Sequence, residues 1–262
     1  MSTITQQIVG TFCWTELSTT DDAGARRFYT SLFGWGENTQ EMGGGQTYTM
    51  LKLGGGDVGG LQRMDDNARK SGVPAHWLNY VAVTSADQTA AKARTLGGKV
   101  LAEPFDVMDA GRMAVLQDPA GATFAIWQAN KHIGTSVRGE PGAPAWTELL
   151  TNDVEGSKAF YTQLFGWTSE PFPGPMPYTI FRTGDAQVGG MMAITPEMGP
   201  MRPGWGVYFE VSDADATIDK AAGLGATVCV PAMDIEGVGR MAMLMDPQGA
   251  AFSIIKAVPK PM

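Results

Sequence analysis

From Phe12 to Thr19 the chain alternates between the two faces of an extended backbone, F-C-W-T-E-L-S-T, and this period of two predicts a strand. Asp21 or Asp22 then offers an N-cap and a negative first turn. Phe28, Tyr29, Leu32 and Phe33 return at helical spacing, and Gly34 stops the helix. After Gly43, Gly44 and Gly45, the stretches Tyr48 to Leu53 and Val58 to Arg63 flank a G-G-G-D turn, a hairpin signal, with Gln40 to Met42 as a short strand ahead of them. The order is β-α-β-β-β. It recurs as a strand at Trp77 to Thr84, a helix at Ala86 to Leu96, and strands at Lys99 to Ala102, Arg112 to Gln117 and Ala122 to Gln128. The last two strands are joined by Asp118-Pro119-Ala120-Gly121, which suits a type I turn.

The pattern is then written again. Trp14 to Trp35 and Trp146 to Trp167 align without a gap at a shift of 132 positions, with 14 of 22 residues identical. Tyr178 to Met191 mirrors Tyr48 to Leu61, and Gly239 to Ile254 mirrors Gly111 to Ile126, including G-R-M-A and D-P-x-G-A. The chain therefore reads as a tandem duplication holding four β-α-β-β-β units, at 10–63, 77–128, 144–193 and 205–256. This predicts an α+β fold of two domains, 1–130 and 144–262, joined by a glycine- and proline-rich linker at 131–143.

Length and charge narrow the partners. A chain of 262 residues carries enough apolar residues for two cores. With a net charge of −8 and no run of Lys or Arg, neither nucleic acid nor an anionic membrane is an expected partner. The N-terminal stretch has no basic and apolar signal pattern, so a cytoplasmic monomer or homodimer is expected. Cys13 and Cys229 align with Ala145 and Leu101. As unrepeated residues they are expected to be reduced, buried thiols. No Ser-His-Asp or Cys-His arrangement repeats, and no glycine-rich phosphate loop opens a helix, which leaves hydrolysis by a nucleophile and nucleotide binding without support.

Paired β-α-β-β-β units with D and F-Y on the first helix, L-F-G-W at its end and a closing strand pair around D-P-x-G resemble the vicinal oxygen chelate superfamily, which includes glyoxalase I, bleomycin-resistance proteins and extradiol dioxygenases. The resemblance covers nearly the whole chain. W-T-E-L, G-R-M and D-P-x-G-A bring it nearest to a two-domain subfamily labelled as glyoxalase-like proteins or hydroxylases. It implies two tandem domains whose curved sheets each enclose a concave site; the fold locates the site and does not name its reaction. Enzymes of the superfamily usually hold a divalent metal with a His early in the first strand of a unit and a Glu late in its last strand. The matching positions here are Trp14 and Trp146, Leu78 and Gly206, and Ala125 and Ser253. None is an ordinary metal ligand. His76 aligns with Gly204 and His132 lies in the linker, so neither metal nor other cofactor is expected.

If Trp14 faces inward, strand alternation brings Glu16 with it, as it does Trp146 with Glu148, and by the same period Tyr80, Trp127 and Tyr208. A hydrophobic pocket with a few polar groups suits an aromatic or polycyclic metabolite or an antibiotic, with Glu16 or Glu148 meeting a donor or a cation. These residues fit a core equally, where tryptophans pack and a repeated glutamate pairs with arginine. Arg112 and Arg240 are candidates for ligand contact, or for ion pairs with those glutamates or with Asp106 and Asp234. Gly59, Gly60, Gly189 and Gly190 permit close approach of backbone or ligand. Phe28, Tyr29, Trp35 and their repeats are assigned to core. Two functions follow: a metal-free protein that binds a small molecule, or a lyase, isomerase or hydroxylase-type enzyme with Glu16 and Glu148 as general bases.

Overall fold

The computed structural model describes residues 2–174 and 176–258. In chain order the first half comprises β1 (Ser2–Thr3), β2 (Phe12–Thr19), α1 (Asp22–Phe33), β3 (Gly36–Gly43), β4 (Gln46–Leu53), β5 (Gly56–Arg63), α2 (Asp66–Lys70), β6 (His76–Ala82), α3 (Ala86–Thr95), β7 (Lys99–Val107), β8 (Gly111–Gln117) and β9 (Thr123–Ala129). After β10 (Val137–Arg138) in the linker come β11 (Pro144–Thr151), α4 (Val154–Phe165), β12 (Thr168–Pro171), β13 (Thr179–Thr183), β14 (Ala186–Ala193), β15 (Gly204–Glu210), α5 (Ala214–Gly223), β16 (Thr227–Ile235), β17 (Gly239–Met245) and β18 (Ala251–Ala257). The predicted stops and starts have the expected causes. The Asp21 side chain accepts a hydrogen bond from the Gly24 amide, and Gly34 closes α1 at φ 70° with its amide on the Thr30 carbonyl. Asp153 and Gly166 repeat the arrangement on α4. Two strands run longer than their pattern suggested, β3 and β7. Every residue of β3 is exposed, so no alternation marks it.

Each half forms one eight-stranded sheet, in the orders β3-β4-β5-β2-β6-β9-β8-β7 and β12-β13-β14-β11-β15-β18-β17-β16. Units pair within a half. At the centre β2 runs antiparallel to β6 with Trp14 opposite Tyr80 and Glu16 opposite Leu78, and β11 meets β15 with Trp146 opposite Tyr208.

The helices do not respect that division. The face of α1 bearing Phe28, Tyr29 and Leu32 packs with Phe209, Leu244, Phe252 and Ile254 of the second half, while Phe160, Tyr161 and Leu164 of α4 pack with Leu116, Phe124 and Ile126 of the first. Hydrogen bonds mark the same seam. The Tyr29 hydroxyl donates to Asp246 Oδ2 at 3.0 Å and accepts from Trp77 Nε1 at 3.0 Å. Tyr161 donates to Asp118 Oδ2 at 3.0 Å and accepts from Trp205 Nε1 at 2.8 Å. The other carboxylate oxygen of each Asp accepts backbone amides of its own D-P-x-G turn. The repeated F-Y and D-P-x-G are thus two sides of one buried contact between halves. Satisfied hydrogen bonds offset the cost of burying these groups. The linker joins this packing: Val137 is buried in one of the shared cores, and the Gly142 carbonyl accepts from Trp35 Nε1 at 2.8 Å. Cys13 is buried, as expected. Cys229 is exposed, because β16 is the outermost strand of its sheet.

Candidate functional site

On the first sheet the face opposite the helices forms a cup centred on β2. Trp14, Glu16, Tyr80 and Trp127 meet there, and all are less than 8% exposed. Glu16 is held by three neighbours. Tyr48 donates to its Oε2 at 2.8 Å, Gln62 donates to its Oε1 at 2.7 Å, and the Tyr80 hydroxyl also bonds the carboxyl. Trp14 Nε1 in turn donates to the Tyr48 hydroxyl at 3.1 Å. Burial pushes the Glu16 carboxyl above its ordinary value, opposed by the bonds it accepts. Gly60 makes this possible: a Cβ there would lie 2.0 Å from the Tyr48 hydroxyl and 3.2 Å from Trp14 Nε1. The cup is covered. Met50, Leu78, Val107, Ala110 and Met113 pack over the aromatic group, and the linker residue His132 sets its ring edge-on against Trp14, with centroids 4.7 Å apart and planes at 86°.

The second sheet repeats the polar core of this cup. Trp146 Nε1 donates to the Tyr178 hydroxyl at 2.9 Å, and Tyr208 donates to Glu148 Oε1 at 2.8 Å. Burial raises the Glu148 carboxyl, opposed by bonds from Tyr178 and Tyr208. Gly190 leaves room as Gly60 does, since a Cβ on it would lie 2.0 Å from the Tyr178 hydroxyl. The surroundings differ. Met192 stands in the place of Gln62, Gly206 in that of Leu78, and Ile255 in that of Trp127. Trp146, Glu148 and Tyr178 are only half-buried. Tyr178 also walls a cleft of about 390 Å³, shared with Val154 and Glu155 of α4 and with Phe172, Met176 and Met192; Trp146 and Glu148 do not line it.

The six positions where relatives of this fold place metal ligands hold Trp14, Leu78, Ala125, Trp146, Gly206 and Ser253 on the central strands. These side chains do not fit a divalent ion, because indole, alkyl groups and an absent side chain offer no donor, and the one hydroxyl, that of Ser253, stands alone. Among the described residues no three His, Cys, Asp or Glu side chains converge.

The arginines occupy a different face from the one the ligand reading gave them. Arg112 shares its side of β8 with Ala114 and Leu116, whose side chains are buried under the helices. It bonds Asp87 on α3 at 2.8 and 2.9 Å and Asp106 at 3.0 Å. Arg240 repeats this with Asp215 and Asp234. Strand alternation sends both away from Glu16 and Glu148, so they are ion-pair residues of the outer surface.

Three residues in the cups escaped the sequence pattern. Tyr48, opposite Gln62, reaches diagonally over Gly60, and Tyr178 reaches over Gly190 in the same way; a repeated tyrosine near a repeated glycine pair was the available signal. His132 carried none, because its chain position is the linker and only folding lays it against Trp14.

A family model described as the Glyoxalase/Bleomycin resistance protein/Dioxygenase superfamily matches residues 11–126, and one described as a glyoxalase-like domain matches residues 146–255. The chain belongs to this superfamily. It is 43% identical over 254 residues to the Mycobacterium tuberculosis protein named "Putative glyoxylase CFP32", covering 96% of each. It is also 34% identical over 258 residues to the anthracycline biosynthesis protein DnrV of Streptomyces peucetius, covering 94% of this chain and 93% of that one. The Mn(II)-bound glyoxalase of Novosphingobium aromaticivorans superposes with a TM-score of 0.64 at 16% identity, over 95% of this chain and 84% of that chain, a likeness of fold. No helix among the described residues is long and apolar enough to cross a membrane.

Proposed function

We propose that this superfamily member binds a small aromatic metabolite in the cup of its second half without using a metal. The observation that supports this reading is the partly exposed Trp146, Glu148 and Tyr178, bonded through Glu148 to the buried Tyr208, with Tyr178 also walling a mainly apolar cleft of about 390 Å³. The indole supplies an apolar wall. Glu148, held from one side by tyrosine hydroxyls, supplies one polar anchor for a donor on the ligand. The donor chemistry of Trp14, Leu78, Ala125 and their repeats supports a site that works without a resident ion. Equilibrium dialysis against aromatic metabolites and cationic antibiotics is the test: a micromolar binder lost in Glu148→Gln is expected, and a panel with no binder sinks the proposal.

A second reading is favoured by the raised carboxyl of Glu148. A glutamate whose carboxyl is raised by burial in an apolar cup suits a general base abstracting a proton from a bound carbonyl compound, as in a lyase or isomerase. Names of relatives, a glyoxylase and an anthracycline biosynthesis protein, agree with enzymatic work on small carbonyl or aromatic compounds. Unchanged turnover in Glu148→Gln would eliminate it.

A further inference from the structure

The linker residue His132 is placed with a specificity that its role as a connector does not require. Its ring stands edge-on to Trp14 at 4.7 Å and to Trp127 at 6.1 Å. Its backbone carbonyl accepts from Trp127 Nε1 at 2.8 Å, and its amide donates to the Ala110 carbonyl at 3.0 Å. Gly134 then passes so close to β2 that a Cβ there would lie 2.2 Å from the Cys13 carbonyl oxygen; its φ of +103° also favours glycine. Thr135 follows with its amide on that carbonyl at 2.7 Å. These contacts clamp the imidazole over the tryptophan of the first cup. Its Nε2 is buried without a hydrogen bond, 3.9 Å from Asp57 Oδ2. Burial holds the imidazole below its ordinary value, so the ring enters as a neutral heterocycle.

We infer that His132 occupies the first cup as an internal ligand, so that each chain takes one external ligand, in the second cup, and that this ligand is a planar, uncharged nitrogen heteroaromatic. The inference rests on the second cup being a binding site, as proposed above. The reasoning is by internal symmetry. Trp146, Tyr178, Glu148 and Tyr208 reproduce Trp14, Tyr48, Glu16 and Tyr80, and what the first set holds against its indole is an imidazole. In the second cup Gln187 stands in the place of Asp57, an amide that can either donate to or accept from a ring nitrogen, and Ile255 stands in the place of Trp127.

The test is a calorimetric titration of the full chain with benzimidazole at mildly alkaline pH, where that ring is uncharged, set beside 5-indanol, a nitrogen-free bicycle of similar size with a saturated second ring and a hydroxyl as its donor. Expected are one equivalent of benzimidazole for the wild type, two for His132→Ala, and a loss of about tenfold in affinity for Trp146→Leu. Should Trp146→Leu fail to fold, the same loss in Tyr178→Phe carries the point. One equivalent in both wild type and His132→Ala, or two in both, overturns the internal-ligand role. Binding of 5-indanol at least as tight as benzimidazole overturns the heteroaromatic class while leaving the second cup a site. Absence of benzimidazole binding overturns this inference; only failure of the whole metabolite panel overturns the binding function itself.

Discussion

The two cups share their central pieces and differ in what closes over them. In the first, Trp14 and Glu16 lie under Trp127, Tyr80 and a histidine delivered by the linker. In the second, Trp146 and Glu148 stay partly exposed, with Ile255 and Met192 where the first cup has Trp127 and Gln62. Duplication supplied two equivalent carboxylate-tyrosine-tryptophan groups, and divergence at their rims left the first fully buried and the second partly exposed. The same motif is thus structural in one half and a candidate site in the other, and only its neighbours tell which.

The contrast can be broken most forcefully at the tryptophans. Trp14→Ala is expected to cost about 3–5 kcal/mol of stability, the range for emptying a buried aromatic position. Trp146→Ala should cost less, about 2–3 kcal/mol, because part of its surface is already in water. Chemical denaturation of both variants measures the gap, and equal losses would mean the second cup is as closed as the first. Next come the glycines. Gly60→Ala presses a methyl into the Tyr48 hydroxyl and Trp14 and is expected to destabilise by about 1–3 kcal/mol. Gly190→Ala displaces Tyr178 toward the cavity, with about half that cost but loss of ligand affinity. A smaller effect should separate the carboxyls by pH. The folded Glu16 carboxyl titrates above its ordinary 4.5, so the folded state binds more protons than the unfolded one between those two values. The Glu16 contribution to stability is therefore full below 4.5 and declines as pH rises through the raised value. Melting temperatures across that interval should fall more steeply for wild type than for Glu16→Gln. A pair of parallel curves would show that Glu16 is better solvated than its cup implies.

Much of the architecture was legible before the structure. Asp21, Phe28, Tyr29 and Gly34 act within one helix, and Trp14 and Glu16 follow strand alternation, so local pattern located each of them. The inward grouping of Trp14, Glu16, Tyr80 and Trp127 followed from the same period. Arg112 and Arg240 make the ion pairs with Asp106 and Asp234 that the sequence offered beside a ligand contact, because a period of two along β8 and β17 points these side chains to the helix layer. The helix stripes are core, as assigned, but their partners were not legible. Periodicity shows that Tyr29 must be buried and is silent on what buries it; its partner Asp246 is more than two hundred positions away.

Residue order by itself determined the duplication, the four β-α-β-β-β units, their caps and turns, and the superfamily, because each depends on interactions spanning a few residues or on likeness between segments. Tertiary structure decided that each core is shared between halves, that Gly60 and Gly190 exist to admit Tyr48 and Tyr178, and that His132 closes one cup while the other stays half-open. Those outcomes depend on side chains brought together from distant parts of the chain, where packing in three dimensions selects among contacts that the linear pattern allows equally.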